Sequence, residues 1–289
     1  MTSTTSAEVQ VARAVGATEG REISRPMVSG RASERIFLAC SALLFAVSAG
    51  ATIVWCASMS AMGEKPMPGG WTMSMAWMRM CGQTWAGAAA SFLGMWTVMM
   101  VAMMLPSLVP MLGRYRQAVN RTSETRLGVL TALVGVGYFF VWAIFGTAAF
   151  PLGVALAAIE MQVPVLARAV PIAVAVVVLI AGALQFTAWK SHHLACCRKP
   201  PAAGRALSAD ICAAVRLGLR LGLRCSYCCA NLMAILLVVG VMNVYAMVAV
   251  TVAITVERLA PGGERVARAI GVVVVGTGLL LMARAGGIG

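Results

Sequence analysis

Residues 127–159 read LGVLTALVGVGYFFVWAIFGTAAFPLGVALAAI, without one charged side chain. About 20 consecutive apolar residues suffice for a helix to cross the hydrocarbon of a bilayer, so this run alone has the length of a membrane span. Working outward, similar charge-free stretches run 36–63, 80–113, 169–189, 225–256 and 269–283. Charged residues are 11% of the chain and hydrophobic ones 60%, with a mean hydropathy of +0.86. A soluble domain carries about a quarter charged residues. This balance excludes a soluble two-domain enzyme, a secreted disulfide scaffold and a disordered protein. The expected fold is all-α: a polytopic membrane bundle of six or seven transmembrane helices plus a short amphipathic interfacial helix. Residues 1–35, rich in Ser, Thr, Ala, Arg and Glu, are expected to form a disordered cytoplasmic tail. Residues 36–284 are expected to form one transmembrane domain, its first span uncleaved because the apolar run starts too late for a signal peptide.

The fifth stretch, 225–256, decides the span count. As one helix it measures about 48 Å, against a hydrocarbon core of about 30 Å. Gly240 and Asn243 sit near its middle. One long tilted helix and two short helices turning there are both open. The last stretch just spans if Val266–Met282 is counted.

Charge placement sets an orientation. Arg13, Arg21, Arg25, Arg31 and Arg35 precede the first span; Arg114, Arg116, Arg121 and Arg126 fill the second connection; Lys190, Arg198, Lys199, Arg205, Arg216, Arg220 and Arg224 fill the fourth. The first and third connections are poor in basic residues. Positive charge collects on the cytoplasmic side. The N-terminus and even connections are therefore expected in the cytoplasm of a bacterial inner membrane, and a turn at Gly240–Asn243 would add Arg258, Arg265 and Arg268 to that side. The net charge of +13 is explained by topology, not by nucleic acid. Arg216, Arg220 and Arg224 repeat every four residues and share a helix face, so 208–224 reads as a basic amphipathic helix at the inner surface.

Five of the nine Cys fall in two clusters, His192-His193-Leu194-Ala195-Cys196-Cys197 and Cys225-Ser226-Tyr227-Cys228-Cys229. Each places ligand-type residues at i, i+3 and i+4: His193, Cys196 and Cys197, then Cys225, Cys228 and Cys229. Such residues share a helix face. Thiolate and imidazole suit Cu(I) and Zn(II). Both clusters sit at the cytoplasmic ends of spans and flank the 189–224 connection, which lets them approach each other. The alternatives are thiol redox chemistry and plain packing. Cys40, Cys56, Cys81 and Cys212 read as packing residues.

Of 20 Met, 13 lie between Met59 and Met111. The external connection carries Met59, Met62, Met67, Met73, Met75, Met78 and Met80, in a spacing that suits copper capture because thioethers prefer Cu(I). The next span carries Met99, Met100, Met103 and Met104, two i, i+4 pairs, before Pro106, which is expected to kink the helix. Methionine also fills irregular gaps in cores. Glu257, at a span end, is expected to pair with Arg258 or to reach the interface. No phosphate loop, no GxSxG and no HExxH occurs, so an ATP-driven transporter or a hydrolase gains no support.

Trp96-x-x-Met99-Met100-x-Ala102-Met103-Met104-x-Pro106, with Pro110 following, resembles the signature of a bacterial family of predicted metal-binding integral membrane proteins filed as a domain of unknown function. Further matches are Gly137-Tyr138 and Trp142, Gln185-Phe-Thr-x-x-Lys190, Cys197-Arg198-x-Pro200, Gly218-x-x-x-Gly222-x-x-Cys225-x-x-Cys228-Cys229-x-x-Leu232-Met233, Gly240-x-Met242-Asn243, and Glu257-Arg258 with Pro261. The resemblance spans about 36–284 and implies metal binding. Ala195, Leu221 and Ala230 depart from it, standing where a Cys, a His and a Trp are expected; His193 is placed to take the missing Cys role.

The leading expectation is a membrane protein that binds a soft transition metal, copper favoured and zinc possible, for handling, delivery or transport. The candidate ligands are Met99, Met100, Met103, Met104, His192, His193, Cys196, Cys197, Cys225, Cys228 and Cys229. Its partners would be the lipid bilayer, the metal ion and a membrane or periplasmic metalloprotein, and an enzyme is not expected. A membrane thiol oxidoreductase using Cys225, Cys228 and Cys229 is the alternative, and a structural subunit is a further one.

Overall fold

A computed structural model describes residues 26–286, apart from 62, 64, 69–70, 75–76, 80–81, 120–122 and 199–209. Helix α1 spans Pro26–Ala61. A small antiparallel hairpin follows, β1 (Lys65–Met67) and β2 (Trp71–Met73). Then come α2 (Trp85–Ala118), α3 (Glu124–Gln162), α4 (Pro164–Leu184), α5 (Ala188–Arg198), α6 (Ile211–Val239), α7 (Val244–Leu259) and α8 (Gly263–Ala285). The chain divides into two units, residues 1–43 and 44–289. Within the first, the described part is the opening of α1; everything below concerns the second. α1 begins at Pro26, ahead of the apolar run and inside the stretch read as a tail, and residues 1–25 lie outside the described residues.

Among the described residues, six helices are long and apolar enough to cross a membrane: 31–61 within α1, then α2, α3, α4, α6 and α8. The 225–256 stretch breaks where glycine permits it. α6 stops at Gly240, whose φ of +128° suits a residue without Cβ. Asn243 then caps α7, its side chain accepting from the Ala246 amide. α7 has 16 residues, about 24 Å of helix, short of a full crossing. The basic segment 208–224 is not a separate interfacial helix. Its described part from Ile211 on is the first half of α6, because Leu, Ala and Arg are good helix formers and no proline stands between Ile211 and Val239. α2 likewise runs on through Pro106 and Pro110.

The apolar surface is turned outward. Val54, Val136, Val165, Tyr245, Val272 and Val273 are all more than 60% exposed. Ser48 and Thr52 satisfy their hydroxyls on their own helix, at Leu44 O and Ser48 O. Small residues seat the helices on one another. A Cβ on Gly218 of α6 would lie 2.3 Å from Val134 O of α3, and one on Gly137 of α3 would lie 2.8 Å from Val215 O. Gly222 meets Tyr138 O in the same way, at 2.8 Å. α4 and α8 form a second such seam, through Gly182 against Val275 and Gly278 against Leu179.

Candidate metal centre

The α3–α6 seam brings Tyr138 onto the cysteine run of α6. Cys225, Cys228, Cys229, Leu232 and Leu236 fall on the buried face of α6 by their i, i+3, i+4 spacing. Tyr138 donates its hydroxyl to Cys225 Sγ at 2.9 Å. Cys225 Sγ lies 3.7 Å from Cys229 Sγ and 4.0 Å from Met104 Sδ of α2. Cys225, Cys229 and Met104 are at most 1% exposed. Met104, the last of the α2 methionines Met99–Met104, therefore meets the α6 cysteines. Among the described residues, no three His, Cys, Asp or Glu side chains surround a common metal position; in the sulfur cluster the third neighbour is a thioether.

Cations border these thiols. Arg258 of α7 donates from Nη1 to Cys225 Sγ at 3.2 Å and to Ser107 Oγ at 2.8 Å. Lys190 of α5 is 1% exposed. Its Nζ sits 2.8 Å from Glu257 Oε2 and donates to Cys228 O at 2.8 Å and Asn231 Oδ1 at 3.5 Å. Gln185 donates to the other Glu257 oxygen at 2.8 Å, and Asn231 donates to Ala181 O at 3.1 Å. Glu257 thus pairs with Lys190, which corrects the expected pairing with Arg258. Successive residues on a helix point about 100° apart, so Glu257 faces α5 while Arg258 faces the thiols. One carboxylate beside two buried cations leaves a positive surplus at the cluster, matched to groups that become anionic, such as thiolates.

The first Cys/His cluster splits. α5 buries Lys190, Leu194 and Cys197, spaced i, i+4, i+7. Cys197 joins the α6 group, donating to Arg224 O at 3.0 Å. Its thiol is raised above the ordinary range, first by its hydrogen bond with Cys228 and then by burial. His192 is exposed and His193 and Cys196 are half-buried, so of the face expected for His193, Cys196 and Cys197 only Cys197 is buried. His193 stacks on Tyr227 at 5.6 Å between centroids and lies 4.6 Å from Trp189. Cys196 Sγ is 3.7 Å from His192 Nε2. The burial of Lys190, not the imidazoles, sets the rotation of this helix.

On α2, Met95, Met99, Met100, Met103 and Met104 are all at most 4% exposed. Met95, Met99 and Met103 follow at steps of four, about 6 Å each along the axis, and Met104 ends the run beside Cys225. Above them an aromatic series Trp77–Phe92–Trp96 has centroid separations of 5.2 and 5.8 Å. The Trp96 ring lies flat against Gly146, where a Cβ would come within 2.5 Å, and its Nε1 donates to Trp142 O at 2.9 Å. Cys56 lies apart, 4.0 Å from Met242 Sδ. Cys40 and Cys212 are exposed, and Cys81 falls outside the described residues.

Sequence reasoning missed the roles of Gln185, Lys190, Glu257, Arg258 and Tyr138. All lie within the motifs of the family resemblance, which was the available signal. Residues 93–281, well over half of the chain, match the family model PpoB2, described as a copper chaperone. No curated protein and no solved structure matches the chain.

Proposed function

The chain belongs to the PpoB2 copper-chaperone family, and we propose on that premise that it holds Cu(I) within a membrane and hands it on. Three sulfurs bound to one ion in a plane, with metal–sulfur bonds of about 2.3 Å as in zinc thiolates, stand about 4.0 Å apart. Cys225 lies 3.7 Å from Cys229 and 4.0 Å from Met104, and this spacing is the observation that carries the reading. Two thiolates and one thioether form a soft donor set that favours Cu(I) over harder ions. Cys228 and Cys197 stand beside the pair as further thiols. Met99, Met100 and Met103 continue the sulfur lining along α2. Arg258 and Tyr138 hold Cys225 in place through its sulfur, and the Lys190–Glu257 pair ties α5 and α7 to the backbone of α6 at Cys228. His192, His193 and Cys196 form the outer group from which the ion is passed to a partner metalloprotein.

The outward apolar surface and the six long helices support a multi-pass membrane placement, and the clustering of basic residues in alternate connections supports an inner membrane with the N-terminus in the cytoplasm. The test is copper content of the detergent-purified, reduced protein, by mass spectrometry after Cu(I) loading. Near-stoichiometric copper is expected, lost in the Cys225→Ser/Cys228→Ser/Cys229→Ser variant. Equal copper in both proteins would overturn the assignment to these thiols. A zinc stoichiometry under the same loading would keep the site and overturn the choice of ion.

A further inference from the structure

The 65–73 hairpin lies outside the matched family region, which starts at residue 93, and its construction is unusual for a surface connection. Lys65 pairs with Met73 and Met67 with Trp71. Alternation along strands therefore places Met67, Trp71 and Met73 on one face. Met67 and Met73 are diagonal neighbours, within about 7–8 Å and in reach of long side chains. An isolated two-stranded hairpin has no core of its own, yet Met67 is 8% and Met73 2% exposed. Both are buried against Ala157 of α3 and Ala167 of α4, with Trp71 and Trp77 alongside. The two indoles are fixed. Trp71 Nε1 donates to Ala167 O at 2.8 Å, and Trp77 lies on the bare backbone of Gly153, where a Cβ would come within 2.3 Å of its ring.

We infer that Met67 and Met73, with the Trp71 ring beside them, form a second binding site for a soft monovalent cation of the Cu(I) or Ag(I) type. Two thioethers select such ions, and an indole face attracts a cation. The ligands carry no charge and no exchangeable proton, so the site holds its ion more weakly than the thiolates do and can release it to them. Ala157 lies 19 residues beyond Tyr138 on α3, about 28 Å along the helix axis. The two sulfur sites therefore stand well apart along α3, with the aromatic series and the α2 methionines between them. This rests on the reading of the chain as a Cu(I) carrier, and deepens it by naming where the ion is first held.

The test uses the full chain in detergent, labelled with 13C at the methionine methyls, in the Cys225→Ser/Cys228→Ser/Cys229→Ser background, with Ag(I) as the probe. Met67→Leu and Met73→Leu, each close in volume, assign the two methyl signals. Near-ultraviolet circular dichroism without metal checks that Trp71 and Trp77 keep their setting. Both signals are expected to move together at about one equivalent of Ag(I), and either Leu variant to abolish the shift of the other signal. Signals that stay in place while Ag(I) binds elsewhere would overturn the inference. So would two signals that move independently. If the hairpin signals move while the parent protein holds no copper at its cysteines, the second site stands and the thiol assignment falls.

Discussion

Replacing Glu257 by Gln leaves the Lys190 ammonium buried without its counter-charge. The two groups stand 2.8 Å apart, 1% and 2% exposed. At an effective dielectric of about 20, unit charges at that distance attract by about 6 kcal/mol. Part of this offsets desolvation, and breaking one side of such a pair costs about 3–5 kcal/mol. Lys190 keeps only neutral acceptors, Cys228 O and Asn231 Oδ1. For a chain of this size each kcal/mol moves the melting midpoint by about 2–4 °C, so Glu257→Gln is expected to lower it by roughly 6–20 °C. Lys190→Met leaves an unpaired carboxylate and is expected to cost a similar amount. The double variant removes both charges and should be more stable than the sum of the singles by up to about 3 kcal/mol. Thermal unfolding in detergent, followed by circular dichroism, measures all four corners of this cycle. Single variants that shift the midpoint by less than about 3 °C, or a double variant equal to the sum, would refute the buried pair as the tie between α5 and α7.

The remaining predictions concern packing and the sulfur site. Gly218→Ala puts a methyl group 2.3 Å from Val134 O and should destabilise by about 1–3 kcal/mol, whereas Gly94→Ala meets nothing within 4 Å and should stabilise by up to about 1 kcal/mol; the same unfolding assay separates them. Arg258→Met and Tyr138→Phe each remove a hydrogen bond to Cys225 and are expected to weaken Cu(I) binding by about 10–100-fold, read by competition with a chromophoric Cu(I) chelator. A water-soluble maleimide should label Cys212, which is exposed, and Cys196, which is half-buried, before Cys225, Cys228 or Cys229. Labelling of the last three at an equal rate would contradict their burial.

Much of this was legible in the residues. The charge-free stretches mark the long helices, and Gly240 with Asn243 marks the break in 225–256. The Cys225-x-x-Cys228-Cys229 spacing marks a single face, and that face is buried. What could not be read is what depends on contacts between distant residues. Lys190 looks like one more cytoplasmic positive charge until Glu257, 67 positions later, is found against it. Lys190, Leu194 and Cys197 turn inward with that pair, and His193 and Cys196 on the neighbouring flank stay half-buried. The basic run 208–224 carries an interfacial signature, yet from Ile211 on local helix propensity makes it the opening of α6. Met67 and Met73 show no helical or membrane period, and only the strand register places them together.

The glycine seam between α3 and α6 has a mechanical consequence. With Gly137, Gly218 and Gly222 in backbone contact, these two helices have one setting and no slack, so Tyr138, Cys225 and Cys229 move as a single block. The other walls of the sulfur chamber come from elsewhere: Met104 and Ser107 from α2, Arg258 from α7. Sulfurs at most 1% exposed meet solvent only when a wall swings away, and the glycine seam resists that motion between α3 and α6. α2 and α7 are joined at this chamber by the Ser107–Arg258 hydrogen bond. Solvent access to these sulfurs would then be timed by collective helix motion, on the microsecond-to-millisecond scale.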